Sequence, residues 1–149
     1  MTHPNRINSL APSAYDALLV LSQESEEFAE RAGLSPGVAE LVKIRASQIN
    51  GCAFCLRMHS KQAREQGETP DRLAVLSAWR ETEYFTPEER AALSLTEKTT
   101  LIATAGSPYE HEREQMVLSN DQIAAVQWIV IAINAFNRVA VISEFDVKP

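Results

Sequence analysis

Cysteine is almost missing from this chain of 149 residues: there are two, Cys52 and Cys55, too few for a scaffold built on disulfides. Basic runs are missing too. Lys and Arg number 14 against 20 Asp and Glu and are scattered among them, so neither nucleic acid nor a charged membrane surface is an expected partner. The start, MTHPNRINSLAPSAYD, lacks the apolar core and cleavage site of a secretion signal, and a cytoplasmic location is expected. An unbroken membrane-length run is also lacking. The most apolar stretch, residues 123–142, is interrupted by Gln127, Asn134, Asn137 and Arg138, whereas a spanning helix wants about 20 mostly apolar residues. It reads as a buried helix in a soluble protein.

No internal repeat, low-complexity tract or Gly/Ser linker divides the chain. A single domain over residues 1–149 is expected, with 1–12 as a loose N-terminal arm. There is no GxGxxG, Walker loop, GxSxG or paired-histidine metal motif, so the best-known phosphate, hydrolase and zinc signatures are absent. Nothing alternates apolar and polar residues long enough to argue for a strand.

What is present is helical punctuation. PSAYDALLVLSQESEEFAERAG opens at Ser13 and ends at Gly33. Ser35 followed by Pro36 opens a second helix that closes at Gly51, and Thr69 with Pro70 repeats that signal. A segment from Cys52 to Gln66 is stopped by Gly67, and Thr86 with Glu89 forms a capping box. The last helix starts at Ser119 or Asn120 and runs about 25 residues. SPYEHEREQMVL, before it, reads as a loop holding a short helix. The fold class is all-α, with six or seven helices.

Within INGCAFCLRMHSKQ, Cys52, Cys55 and His59 stand at i, i+3 and i+7. On a helix they share one face, and the thiols fall near its N-terminus, where free N–H groups and the helix dipole favour an anion. An ordinary thiol is only ~3% ionised at pH 7; a drop of two pKa units makes it ~75% ionised. A redox pair, a metal site and incidental cysteines all fit the CxxC spacing. Zinc needs four ligands, and beyond these three the chain offers only distant His3 and His111. The strands of a thioredoxin-like fold are absent. Glu40 lies on the preceding helix, which the short Asn50–Gly51 link could fold back beside the cysteines. Taken alone, Glu40 is a solvated carboxylate and His59 an ordinary histidine. The acidic run QESEEFAER reads as a solvated face, and Trp79, Trp128 and Phe136 as core or subunit-interface residues.

Glu40, eleven residues, Cys52-Ala-Phe-Cys55, three residues and His59 together resemble the core motif of AhpD-like alkylhydroperoxidases, a group within the carboxymuconolactone decarboxylase superfamily. INGCAFCLRMHSKQAREQG, FTPEERAALSLTEKTTLIA and IVIAINAFNRVAV also look like stretches of its single-domain members, so the resemblance spans roughly residues 12–145. It implies an all-α fold, homo-oligomers (trimers or hexamers) and thiol peroxidase or disulfide reductase activity on hydroperoxides. It implies Cys55 as the attacking thiol, Cys52 as its resolving partner, and Glu40 with His59 as a proton relay. A reduced thiol or dithiol protein would reopen the disulfide, and no metal or other cofactor is called for. One position departs from the pattern: Phe54 stands where the best-studied branch has a second relay histidine, so the relay implied here is shorter.

Overall fold

Helix starts are set by side chains that close the first turn. Ser35 and Thr69 each accept the N–H three residues on, from Val38 and Arg72. Thr86 with Glu89, and Ser119 with Gln122, close both halves of a capping box. Pro36, Pro70 and Pro87 occupy the first helical position, where their missing N–H has no partner to lose. Pro12 does the same for the longest N-terminal helix, which starts there rather than at Ser13 and has no side-chain cap at Ala11.

The computed structural model describes residues 6–104 and 111–149. These hold α1 (Ile7–Leu10), α2 (Pro12–Arg31), α3 (Pro36–Asn50), α4 (Ala53–Glu65), α5 (Pro70–Val75), a 3-10 segment (Leu76–Glu81), α6 (Pro87–Thr100), α7 (Glu112–Gln115) and α8 (Asn120–Ile142). There is no strand among the described residues, so the fold is all-α as expected. The helix number exceeds six or seven by α1, whose four residues are too few to leave a periodic pattern. Helix α7 is the short helix expected before the last one; residues 107–110 of that loop lie outside the described residues, as does His3.

Helix α8 runs through the core and packs against α2, α3 and α6. By length and composition it could cross a membrane, yet Val126, Ile129, Val130 and Ile133 are each at most 3% exposed within the fold. Burying a side chain of that kind stabilises by about 1.5–3 kcal/mol. Val126, Ile129 and Val130 join Val42, Ala92 and Leu95 in one apolar cluster. A second cluster, with Leu41, Ile44, Leu76, Trp79 and Leu93, sits under the 3-10 segment. The third surrounds the cysteines: Ala46, Cys52, Cys55, Ile133 and Ala140, flanked by Phe54, Phe136 and Phe145.

Polar residues lock α3 to α8 behind that third cluster. Asn50 donates to Asn134 and Asn137, and Asn137 donates to Ser47, at 2.9–3.0 Å. Asn137 and Ser47 are buried, so each bond replaces one that water would have made. The residues that interrupt the apolar run of α8 thus hold the end of α3, from which the cysteine turn departs. At the N-terminus, the Ile7 N–H is bonded to Ser143 Oγ at 3.2 Å and Arg6 pairs with Asp146, tying the described part of the arm to the segment after α8.

Candidate active site

The turn between α3 and α4 is made by Gly51, in the left-handed region at φ 67°, a conformation cheap only for glycine. It lets the Cys52 N–H reach back to the Ser47 carbonyl at 3.0 Å, a Schellman end to α3. Cys52 is at once the N-cap of α4, its Sγ accepting the Cys55 N–H at 3.2 Å. One residue thereby ends one helix and starts the next, which places both sulfurs at the α4 N-terminus. They are joined in a disulfide with a Cα–Cα distance of 5.4 Å, within the usual span for such a bond. Both cysteines are buried, at 1% and 2% exposure.

Folding α3 back along α4 brings Glu40 to His59. Glu40 Oε2 lies 2.9 Å from His59 Nδ1, and both residues are buried. An ionised carboxylate only accepts, so Nδ1 carries the proton and Nε2 of a neutral ring is left as a base. The Glu40 carboxylate is held by a second partner: Lys43 Nζ donates to Oε1 at 2.9 Å and to Glu26 Oε1 of α2 at 2.5 Å. Burial works against the ionised form of Glu40, but the hydrogen bond from His59 and the charge and hydrogen bond of Lys43 outweigh it, so its carboxyl titrates below the usual range. Burial likewise works against the Lys43 ammonium and is outweighed by Glu40 and Glu26, which raise its pKa.

These side chains line a cavity of about 540 Å³. Cys55, His59, Glu40, Lys43 and Glu26 face it from α4, α3 and α2, and Tyr15, Leu19, Phe54, Met58, Phe136 and Phe145 supply apolar wall. Cys52 is buried and is not among the lining residues. Phe54 packs edge-on against Phe145, with centroids 5.1 Å apart, so the position of the missing relay histidine is closed by an aromatic pair.

The structure therefore brings Cys52, Cys55, His59 and Glu40 together and leaves His111 elsewhere, bonded to Gln127 at 3.1 Å. Lys43 and Glu26 escaped sequence reasoning. The available signal was the i, i+3 spacing of Glu40 and Lys43, which is also that of countless surface pairs. Glu26 corrects the reading of QESEEFAER as a wholly solvated face: it is about half exposed, at 49%, and pairs with Lys43. Trp79 is core, Phe136 is cavity wall and Trp128 lies exposed on α8. Among the described residues no three His, Cys, Asp or Glu side chains are grouped to hold a metal ion.

The model of the carboxymuconolactone decarboxylase family matches residues 16–98, more than half of the chain and all of the α3–α4 turn. The chain belongs to the carboxymuconolactone decarboxylase family. Within it the protein is AhpD-like. It superposes with a TM-score of 0.86, at 33% identity over 100% of this chain and 99% of the other, on a crystal structure from Agrobacterium tumefaciens. That protein is of unknown function and is described as a candidate antioxidant defence protein AhpD. The uncharacterised YdfG of Bacillus subtilis is 38% identical over 122 residues, 81% of this chain and 83% of that one. YnjA of Escherichia coli, also uncharacterised, is 35% identical over 68 residues, 46% of this chain and 37% of its own. Cys55 of the disulfide and the Glu40–His59 pair line one cavity.

Proposed function

We propose that the protein is a thiol-dependent hydroperoxidase that also cycles as a disulfide reductase, a reading carried by Cys55 facing a cavity beside the buried Glu40–His59 pair. In the reduced protein His59 takes the proton of the Cys55 thiol, and Glu40 steadies the imidazolium that results. The thiolate attacks the terminal oxygen of a hydroperoxide. The S–O bond forms, the O–O bond breaks, and the departing alkoxide takes the proton back from His59 and leaves as an alcohol. Cys52 then attacks the Cys55 sulfenic acid and expels hydroxide, which with the Cys52 proton makes water. The product is the Cys52–Cys55 disulfide. A dithiol partner reduces it, supplying two electrons and two protons for the next cycle. This division of labour is supported by Cys55 lining the cavity while Cys52 does not. The protein is proposed to work in the cytoplasm as a homo-oligomer.

The test is consumption of cumene hydroperoxide with a dithiol donor by wild type, Cys52→Ser and Cys55→Ser. Cys55→Ser should be inactive, and Cys52→Ser, with the donor left out, should consume one equivalent of peroxide and stop at a sulfenic acid. Equal rates for wild type and Cys55→Ser would overturn the reading.

One observation favours a second reading. The Phe54–Phe145 pair occupies the place of a second relay histidine, and both sulfurs are buried. A redox-responsive module of the same fold would oxidise once, change shape or partner, and not turn over. Sustained steady-state consumption excludes it; a single equivalent of peroxide consumed per chain, with excess dithiol present, supports it. A lactone decarboxylase reading has no comparable observation behind it, since that reaction leaves the disulfide without a role.

A further inference from the structure

Resting on the peroxidase reading and deepening it, we propose that the cavity selects neutral hydroperoxides with a bulky apolar body and rejects those carrying a carboxylate, with Glu26 as a residue that sets this selectivity. Three observations lead there. The first is size. At about 540 Å³ the cavity lies in the range of pockets that enclose whole organic ligands. A molecule of liquid water takes about 30 Å³, so hydrogen peroxide would leave most of the space to solvent.

The second observation is the wall. Tyr15 and Phe136 meet edge to face at 6.0 Å, Phe54 and Phe145 at 5.1 Å, and Leu19 and Met58 complete the apolar lining. An apolar body set against these rings displaces water that gains little from them. The reactive end of such a ligand meets Cys55 and His59, which are buried.

The third is charge. Three carboxylates line the cavity, Glu26, Glu40 and Glu65, against one ammonium, Lys43, and no arginine is among the described lining residues. Two of the three N–H bonds of Lys43 are already taken by Glu40 and Glu26, whose two charges exceed its one. A ligand carboxylate would have to shed its water and face a net negative surface, with only neutral donors such as Ser22, Gln62 and Gln66 in place of that water. Glu65 is the more exposed, at 63%, and pairs with Lys61 at 3.9 Å, whereas Glu26 stands directly on the buried pair, at 49% exposure against 6% for Glu40. Its charge is what turns a balanced Lys43–Glu40 pair into a net negative group.

The experiment compares kcat/KM for cumene hydroperoxide, its para-carboxy derivative and hydrogen peroxide, in wild type and Glu26→Gln at low salt. Glutamine keeps an oxygen for Lys43 and removes only the charge. Wild type should favour the neutral aromatic over its carboxy derivative by about tenfold or more, mainly through KM, and should favour it over hydrogen peroxide as well. In Glu26→Gln the gap between the two aromatics should shrink several-fold. Equal kcat/KM for the two aromatics in wild type, or an unchanged gap in Glu26→Gln, overturns the proposal; hydrogen peroxide used as well as cumene hydroperoxide overturns its size component. A binding arm separates this from the peroxidase reading. In reduced Cys52→Ser, cumyl alcohol should slow alkylation of Cys55 by N-ethylmaleimide more than para-carboxy cumyl alcohol does. If no hydroperoxide is consumed but the neutral alcohol alone protects, the peroxidase reading fails and the selectivity stands. Equal protection by both alcohols, or by neither, overturns the selectivity.

Discussion

Glu40 shows how a single carboxylate can join chemistry to stability. Its two oxygens are taken by His59 and Lys43 in a buried setting, and the balance of burial against those partners leaves its pKa below that of an ordinary glutamate. The unfolded chain, whose glutamates titrate near about 4.3, therefore binds a proton that the folded chain does not. Stability from this group is complete above that value and is lost as pH falls through the folded pKa. Two other carboxylates behave alike: burial of Glu97 is outweighed by hydrogen bonds from Trp79, Arg80 and Arg45, and burial of Glu114 by Lys98 and Ser94. Urea unfolding across pH 7 to 3 should show a flat plateau down to about pH 5, then a decline with three contributors. In Glu40→Gln the decline should be shallower, with the neutral-pH stability lower by about 1–3 kcal/mol because Lys43 keeps Glu26. An acid limb as steep as that of wild type would mean Glu40 is not held ionised by the fold. At the same scale Lys43→Met should weaken catalysis by removing the donor that keeps Glu40 an acceptor for His59. The acid limb of kcat/KM should move upward in pH, the direction expected when a carboxylate loses its cation. A change in rate with no movement of that limb would give Lys43 a structural role only.

At the scale of elements, the cysteine pair owes its position to one turn. Gly51 has φ 67°, and a Cβ built there meets nothing within 4 Å, so the cost of Gly51→Ala comes from the backbone alone. That cost is about 1–2 kcal/mol, which for a domain of this size lowers Tm by roughly 2–8 °C. Thermal unfolding of the variant should show this loss with full helix content; no change in Tm would mean that α3 and α4 hold the turn regardless of its sequence. The other end of the site is closed by a similar motif built without glycine. After α8 the chain turns at Glu144, φ 47°, and the Phe145 N–H returns to the Ala140 carbonyl at 3.0 Å, which lays Phe145 over Phe54. These two turns differ in how well they can be read in advance. The Gly51 turn announces itself, since Asn-Gly between two capped apolar segments is a stop and a restart. The Glu144 turn does not, because nothing local distinguishes that glutamate from one in a continuing helix. The same contrast holds for the site residues. His59 is legible through its helical register with the cysteines and Glu40 through the family resemblance, whereas Lys43 and Glu26 are joined only by the packing of α2 on α3. Asn134 and Asn137, which interrupt an apolar run in the sequence, are explained only once Asn50 and Ser47 stand opposite them.

For the whole molecule the open question is what covers the outer side of α8. Its inner faces are buried in the core, but Trp128 and Ile131 remain 47% and 45% exposed on adjacent turns. Thr100, at the end of α6, is bonded to Asn134 on the same stretch of α8, and the residues that follow it, Leu101 and Ile102, are exposed as well. Large apolar side chains concentrated in this way mark an association surface more often than a free one. The carboxylate excess of the chain does not oppose association there, since none of these four side chains is charged. A second copy is the expected occupant, in keeping with the homo-oligomer proposed above, and a specific interface of this kind buries about 1,200–2,000 Å² in total. Light scattering should then give a mass that is a multiple of the 16.5 kDa chain. Trp128→Glu should return it to the single-chain mass while keeping the helical circular dichroism, because Trp128 is not part of the apolar clusters that hold the chain together. Comparing peroxide turnover in the two forms then asks whether a complete site needs the neighbour. Glu40, His59 and Lys43 are held together by hydrogen bonds within one chain, so the dissociated variant should keep most of its kcat/KM. A wild-type protein that is monomeric at tens of micromolar would remove the oligomer, and with it the explanation for the exposed tryptophan.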